Sequence, residues 1–236
     1  MLKKNDNFID IKNSLHFINI VFIKSMKKFL LSLLILCITS CVKTNTNISN
    51  YTNTNDVKTK KVVFLIYGYP ACGKLTIAKE LEKKYNLNLM DNHFFNNIIF
   101  PYVELTTPNV IAIYPDIHKI RKIWMDNVVK YGKNDKGFIF TDVLISSPST
   151  KNDVNNIKEF AHKLGYKFVP VKLICSDKDI KNRINSNDRK KRHKLTDYKD
   201  WKNYINNTNF LDVEQSLVID NKNINQTIQQ IDNAIG

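Results

Sequence analysis

The hydrophobic pattern from residue 62 onward alternates short apolar runs with stretches in which apolar residues recur every three or four positions. The short runs predict strands and the periodic stretches predict helices. This alternation predicts a parallel sheet covered by helices on both faces. The predicted strands cover residues 62–67, 87–90, 137–144, 167–175 and 216–219, and the predicted helices cover residues 73–85, 117–132, 151–164, 178–184, 198–206 and 224–235. Pro170 suggests a bulge or a sheet edge in the fourth strand, because proline lacks an amide donor.

The loop between the first predicted strand and the first predicted helix carries the most informative motif. It reads Gly68-Tyr69-Pro70-Ala71-Cys72-Gly73-Lys74-Leu75-Thr76. A strand, a glycine loop, a lysine and a helix in this order form the phosphate-binding loop, or P-loop, in which backbone amides and a helix N-terminus surround an anion. We expect Gly68 and residues 70–76 to bind nucleotide phosphates, with Lys74 neutralising the transferred phosphate. The alternative is a fortuitous strand–turn–helix.

The loop departs from the strict pattern after its lysine. Leu75 stands where many P-loop proteins place a hydroxyl on magnesium, and Thr76 follows one position later. This resembles the nucleoside-monophosphate-kinase variant Gly-x-Pro-x-x-Gly-Lys-Gly-Thr, in which the metal is held mainly through water. The resemblance implies that Mg²⁺ still accompanies ATP, since Mg²⁺ keeps several waters anyway. It favours a small-molecule kinase over a GTPase or a motor ATPase.

Polar side chains at the carboxyl ends of two other predicted strands are further candidates, because open parallel sheets bind ligands at that edge. Asp142 follows the apolar run 138–141 and is expected to orient metal-bound waters or the acceptor hydroxyl. Asp91 and His93 end the second strand, where a base for a substrate hydroxyl and a substrate contact are expected. A capping aspartate and a surface turn are the respective alternatives.

The segment 181–197 is strongly basic and lies between the fourth and fifth predicted strands. P-loop kinases have a mobile lid there, whose arginines close over the phosphates and exclude water. Arginine suits this role because its planar fork holds two phosphate oxygens at once. We expect Arg183 and Arg189 to be lid arginines, with Arg192 as the third candidate. A solvated basic loop and a contact to anionic lipid are the alternatives.

The 236-residue chain has 36 Lys and Arg against 22 Asp and Glu, a formal net charge of +14. Such an excess raises the question of nucleic-acid binding. Much of it lies in Lys/Asn-rich stretches without interleaved aromatic residues, so nucleic acid is an unlikely partner. The sequence does not predict an oligomeric state.

The residues before the first predicted strand indicate targeting. From Met26 they read MKKFLLSLLILCITSC, with two lysines and an apolar run before Cys41, as in a secretory signal. The last four resemble a bacterial lipobox, which implies lipidation of Cys41 and a membrane anchor. We divide the chain into an extension with a lipobox-like signal (1–41), a disordered Asn/Thr-rich tether (42–60) and the P-loop domain (61–236). Because ATP is scarce outside the inner membrane, the signal conflicts with a kinase, and an unused signal would leave the protein cytoplasmic.

Two cysteines lie in the globular part. Cys72 is in the P-loop, and Cys175 ends a predicted strand that is expected to neighbour it. Two small buried thiols are the plain interpretation. In an exported protein they could oxidise to a bridge, which would be expected to distort the loop.

Several motifs together resemble one group of bacterial proteins. They are GYPACGKLTIAKEL, the DNH after the second strand, FIFTD, RKKRHKLTD and SLVID. Over residues 61–236 they are similar to P-loop proteins described as shikimate-kinase-like or AAA-type ATP-binding proteins. The resemblance implies an α/β P-loop kinase core, a three-layer sandwich with a five-stranded parallel sheet in the order 2-3-1-4-5 and a basic lid. The group more often has His-Asn-His where this chain has Asp91-Asn92-His93, so His93 matches and Asp91 departs.

The sequence therefore predicts an ATP- and Mg²⁺-dependent phosphotransferase that moves the γ-phosphate to an unidentified small acceptor. Lys74 and Thr76 would hold the phosphates, Asp142 the metal through water, and Asp91 with His93 the acceptor. One alternative is a lipid-anchored envelope protein that binds a ligand or partner without catalysis. Another is phosphorylation of an antibiotic or a cell-wall sugar nucleotide, as related phosphotransferases and zeta toxins do.

Overall fold

The computed structural model describes residues 60–104, 107–133, 135–191 and 194–236. The predicted signal segment with Cys41, the tether up to residue 59 and the candidate lid residue Arg192 lie outside the described residues. Within the described ranges, no helix has both the length and the apolar character needed to cross a membrane.

Five parallel strands form a single sheet in the order β2-β3-β1-β4-β5, which confirms the prediction. β1 is the central strand of this sheet. Every side chain from Val62 to Tyr67 is buried, as expected for a strand covered on both faces. The carboxyl ends of β1 and β3 lie side by side, with Tyr67 opposite Asp142. The strands are β1 (Val62–Gly68), β2 (Asn88–Asp91), β3 (Phe138–Asp142), β4 (Lys167–Ile174) and β5 (Leu217–Asp220).

Helices cover both faces of the sheet. Ile77 of the first helix and Ile231 of the last pack into the core on one face, whereas Met125 and Ile157 of two middle helices pack into the core on the other. The helices are α1 (Lys74–Tyr85), α2 (Asn92–Asn96), α3 (Thr107–Tyr131), α4 (Pro148–Lys163), α5 (Asp177–Ile184), α6 (Asn187–Lys191), α7 (Tyr198–Asn206) and α8 (Ile224–Ile235), with a 3₁₀ turn at Phe100–Tyr102.

Apart from the start of α3, the predicted strands and helices are found within a few residues of their expected bounds, and α7 and α8 match them. The pattern missed the short helices α2 and α6. It also missed the first ten residues of α3, which include Pro115, a residue that normally marks a helix boundary.

The prediction of an edge or a bulge at Pro170 needs correction. Pro170 lies opposite Leu65 in an uninterrupted ladder with β1, and β4 is flanked by β5 on its other side. β5 pairs only with residues 171–174, however, so the proline precedes that ladder. Pro170 is tolerated inside β4 because the short strand β5 does not extend as far as this residue, so no amide donor is needed there.

Candidate phosphate-binding site

The loop between β1 and α1 has an unusual backbone. Gly68, Ala71 and Gly73 have positive φ angles of 145°, 68° and 84°. A Cβ atom on Gly68 would lie 2.3 Å from the carbonyl oxygen of Leu173, so only glycine lets β1 approach β4 this closely. Ala71 is left-handed despite its side chain, which is the kind of local strain found in ligand-binding loops.

The amino end of α1 has the donors that an anion needs. The first hydrogen bond of the helix joins Ile77 N to Gly73 O at 3.1 Å. The amides of residues 74–76 precede it and have no acceptor within the helix. Gly73 is the N-cap and provides no side-chain acceptor. Together with the helix dipole, these amides make the loop suited to a phosphate group.

Lys74 lies over the same loop. Its Nζ donates hydrogen bonds to the carbonyl oxygens of Gly68 and Tyr69, both at 2.8 Å. Desolvation lowers the pKa of Lys74 to about 8, although the charges of Cys72 and Asp142 act in the opposite direction. The nearby cations Lys194 and Arg189 lower the pKa further. The ammonium is therefore held at a site where an added negative charge would stabilise it.

Two side chains that sequence reasoning missed hold the loop from outside. Asn221 follows β5, is buried, and donates from Nδ2 to Cys72 O at 2.8 Å while its Oδ1 accepts from Thr227 Oγ1 at 3.0 Å. Trp201 of α7 donates from Nε1 to Pro70 O at 3.0 Å. These bonds satisfy the carbonyls of Cys72 and Pro70. The Cys72 amide donates to Tyr69 O at 3.3 Å, so the amides of residues 74–76 are the ones that the loop offers to an anion.

The structure places the two described lid candidates differently. Arg189 is close enough to Lys74 for its charge to lower the pKa of that lysine. Its guanidinium donates two hydrogen bonds to Leu195 O, at 2.6 and 3.1 Å. Arg183 lies behind the loop, where it donates to Asn221 O at 2.9 Å and to Cys175 Sγ at 3.2 Å. Arg189 thus acts on Lys74 through its charge, whereas Arg183 Nη1 lies 3.8 Å from where a Cβ on Gly73 would be.

Asp142 is buried at the end of β3 within an ion cluster. Its Oδ2 accepts from Arg121 Nη1 at 2.9 Å, and its Oδ1 accepts from Val143 N at 2.7 Å. Arg121 also donates to Asp153 at 2.6 Å, so one guanidinium bridges two carboxylates. Desolvation raises the pKa of Asp153, although the charge of Arg121 opposes this shift. No sequence motif indicated Arg121 or Asp153, because each lies on a helix and meets Asp142 only through the packing of that helix on the sheet.

Asp91 lies beside Asp142 at the same edge of the sheet. Its Oδ1 accepts from Thr141 Oγ1 at 2.6 Å, and the two residues are register partners of β2 and β3. Asp91 stands at the N-cap position of α2, but its side chain makes no capping hydrogen bond. His93 follows in the first turn of that helix and is partly exposed. The predicted acceptor residues therefore border the strand end that carries Asp142.

Three aromatic side chains, Tyr204, Phe210 and Tyr69, pack in sequence between this edge of the sheet and the P-loop, and we call them the aromatic wall. Burial raises the pKa of Tyr204 to about 12 and also raises that of Tyr114, and the charge of Asp142 contributes to both shifts. Tyr204 packs edge-on against Phe210 with centroids 5.9 Å apart, and Phe210 lies 4.8 Å from the ring of Tyr69 in the loop. Tyr69 and Phe210 also line a cavity of about 280 Å³ at the carboxyl ends of β1 and β4.

The fit of these residues to a metal ion is limited. Among the described residues, no group of three His, Cys, Asp or Glu side chains is arranged to ligate one. Mg²⁺ in nucleotide sites usually keeps several waters and takes its other ligands from phosphates and one or two carboxylates. The single carboxylate of Asp142, both of whose oxygens accept hydrogen bonds, fits contact through water better than direct ligation.

Comparison with known proteins supports the fold. No protein-family model matches the sequence, and no curated protein is significantly similar to it. A candidate kinase from Chloroflexus aurantiacus superposes with a TM-score of 0.51 at 14% identity, covering 75% of this chain and 96% of that one. A sugar kinase from Janibacter sp. gives 0.47 at 16% identity (74% and 95%), and a gluconokinase from Sinorhizobium meliloti gives 0.46 at 10% (73% and 90%).

The fold and the loop together define the class of structure. The chain has the P-loop kinase-like α/β fold, with five parallel strands in the order 2-3-1-4-5 and a loop of P-loop sequence after the first strand. At such low identities the likeness concerns the fold and not the substrate.

Proposed function

We propose that this protein binds ATP with Mg²⁺ and transfers the γ-phosphate to a small acceptor that carries a hydroxyl or phosphate group. The observation that supports this most is the conformation of the P-loop. Its positive-φ residues, its anchored carbonyls and the amides at the start of α1 form a site for phosphates before any ligand is present.

Positioning and electrostatics supply most of the catalysis in phosphoryl transfer. Lys74 exchanges its two carbonyl partners for phosphate oxygens and neutralises the charge that develops on the transferred group. The amides of residues 74–76, with the Thr76 hydroxyl, hold the inner phosphates. Arg189 moves from Leu195 O to the phosphates and helps to exclude water, whereas Arg183 supports the loop through Asn221. Bound Mg²⁺ would neutralise phosphate charge, with Asp142 contacting its waters.

The acceptor binds at the carboxyl end of β2. Asp91 orients its hydroxyl, with Thr141 fixing the carboxylate, and His93 contacts the substrate. Arg121 keeps Asp142 in place and is a positioning residue. Tyr204 and Phe210 pack edge-on against each other, and we expect these rings to limit the access of water to the acceptor.

Isothermal titration calorimetry with ATP tests the binding step. Lys74→Ala removes a charge-assisted contact, so we expect affinity to fall roughly 10- to 100-fold. Lys79→Ala is the matched control, because Lys79 is an exposed lysine on the same helix. Equal affinities for the two variants, or no binding by the wild type, would contradict the proposal. ADP release across a panel of sugars, nucleosides and cell-wall precursors then tests transfer.

A second candidate is nucleotide binding without turnover, on a protein anchored through a lipidated Cys41. It is favoured by Asp142, whose two oxygens are already occupied by Arg121 and the Val143 amide. ATP binding with no ADP release for any acceptor would support it. Mass analysis of the natural N-terminus would show whether the chain carries a lipidated cysteine, and the localisation stays a prediction until then.

A further inference from the structure

Two cysteines lie against each other behind the P-loop. Cys72 is fully buried in the loop, and Cys175 follows β4 and is partly exposed. The Cys175 thiol donates to Cys72 O at 3.5 Å and to Asn221 O at 3.9 Å, and the two thiols lie close enough for each to shift the pKa of the other. The proposed phosphotransfer uses neither thiol. A partly exposed sulfur therefore lies against the backbone of the residue that carries the buried sulfur, in the P-loop itself.

Arg183 makes the accessible sulfur the nucleophile of the pair. Its Nη1 donates to Cys175 Sγ at 3.2 Å, and Asn221 O fixes the guanidinium at 2.9 Å. The hydrogen bond from Cys72 and the charge of Arg183 lower the pKa of Cys175 against its desolvation and the charge of Asp179. The pKa of Cys72 is raised by its hydrogen bond to Cys175 and by burial. A thiolate beside an arginine is the form of cysteine that reacts with oxidants.

We propose that Cys175 and Cys72 form a peroxide-sensitive thiol pair that closes to a disulfide and thereby switches off the P-loop. The Cys175 thiolate attacks one oxygen of a hydroperoxide and breaks the O–O bond, which gives a sulfenic acid and releases hydroxide, or the alkoxide of an organic peroxide. The sulfur of Cys72 then attacks the Cys175 sulfur. The S–S bond forms as the S–O bond of the sulfenic acid breaks, and the leaving hydroxyl takes the thiol proton of Cys72 to become water.

The bridge would act on the loop through its backbone. Cys72 lies between the left-handed residues Ala71 and Gly73, and its carbonyl accepts from Asn221. Drawing its side chain toward β4 disturbs these angles and that hydrogen bond. The effect on nucleotide binding rests on the proposed function, but the thiol chemistry does not.

The test uses full-length protein with Cys37→Ser and Cys41→Ser, so that only the two thiols of interest remain. One equivalent of hydrogen peroxide is added, and disulfides are mapped by peptide mass spectrometry. We expect a Cys72–Cys175 bridge that a reductant reverses, together with a loss of ATP-induced thermal stabilisation. Two reduced thiols, or Cys175 overoxidised with Cys72 reduced, would overturn the inference even if ATP binds normally. A mapped bridge in protein that never binds ATP would support the thiol chemistry and refute the proposed function instead.

Variants separate the two roles. Cys175→Ser should keep ATP-induced stabilisation after peroxide, whereas Cys72→Ser should leave Cys175 as a sulfenic acid that dimedone traps. Arg183→Gln should slow alkylation of Cys175 at neutral pH by about tenfold and move its pH profile upward, since the thiolate fraction changes tenfold per pKa unit. Arg183→Lys should restore part of the rate. An unchanged alkylation profile in Arg183→Gln would refute the assigned activation.

Discussion

Asn221 is the residue whose replacement tests most directly how the P-loop is shaped. Asn221→Ala removes the donor to Cys72 O and the acceptor of Thr227 Oγ1, both in the buried interior. A buried polar group left without a partner costs about 1–3 kcal/mol, so two of them amount to roughly 2–4 kcal/mol of unfolding free energy after partial relaxation. Urea denaturation followed by circular dichroism measures this loss.

The same change should weaken nucleotide binding beyond its effect on stability. Without the anchor, the loop must be ordered by the ligand, and an ordering cost of about 1.4 kcal/mol would lower ATP affinity tenfold. Asn223→Ala is the matched control. Asn223 is the exposed N-cap of α8, whose side chain accepts from Gln226 N, and its loss should cost only about 1 kcal/mol.

The control should bind ATP as the wild type does, because the exposed Asn223 side chain bonds its own helix, at Gln226 N. If Asn221→Ala lost stability and still bound ATP with unchanged affinity, the anchor would be a fold element only. Unchanged stability would refute the assignment of two buried hydrogen bonds to this side chain.

Three further predictions concern the same site. In calorimetry, ATP affinity should be constant between pH 7 and 7.5 and fall about tenfold by pH 9. The pKa of Lys74 is about 8 in the free protein, whereas a bound phosphate raises that pKa and keeps the lysine protonated. An affinity that does not change up to pH 9 would contradict this prediction. Gly68→Ala should prevent folding or cost about 3 kcal/mol or more, whereas Gly165→Ala, also at positive φ but with open space around it, should cost about 1–2 kcal/mol in the same urea assay. Arg121→Met removes the guanidinium that bridges the buried carboxylates of Asp142 and Asp153, and His118, 4.0 Å from Asp153, replaces it only in part. The change should therefore cost about 3–5 kcal/mol at pH 7, and a loss below about 1 kcal/mol would show the cluster to be solvated.

Features that depend on neighbouring residues were predictable from the sequence. The loop of residues 68–76 is marked by its glycines, its lysine and its flanking elements, and β1 by its continuous apolar run. The alternation of strands and helices predicted a parallel sheet, and the order of its strands came from the resemblance to P-loop kinases. These signals need no knowledge of which distant side chains meet.

The supports of the site were not predictable in this way. Asn221 is 149 residues from Cys72 and Trp201 is 131 residues from Pro70, and no local pattern indicates either hydrogen bond. Asn221 does directly follow a strand at its carboxyl end, so the strand-end rule that selected Asp142 could have selected it too. Arg121 had no such signal, because an arginine in an amphipathic helix is normally solvated.

In the proposed function, the positive charges around the P-loop would couple nucleotide binding to a shift of Arg189. Lys194 and Arg189 lie close enough to Lys74 to lower its pKa, so these cations repel one another in the absence of an anion. Arg189 meanwhile donates both hydrogen bonds to a neutral carbonyl, that of Leu195. A phosphate is the stronger acceptor for a guanidinium and also cancels the repulsion. Exchanging the carbonyl for a phosphate is therefore favourable on both counts, and a polyphosphate that enters the loop should draw the segment with Arg189 toward Lys74.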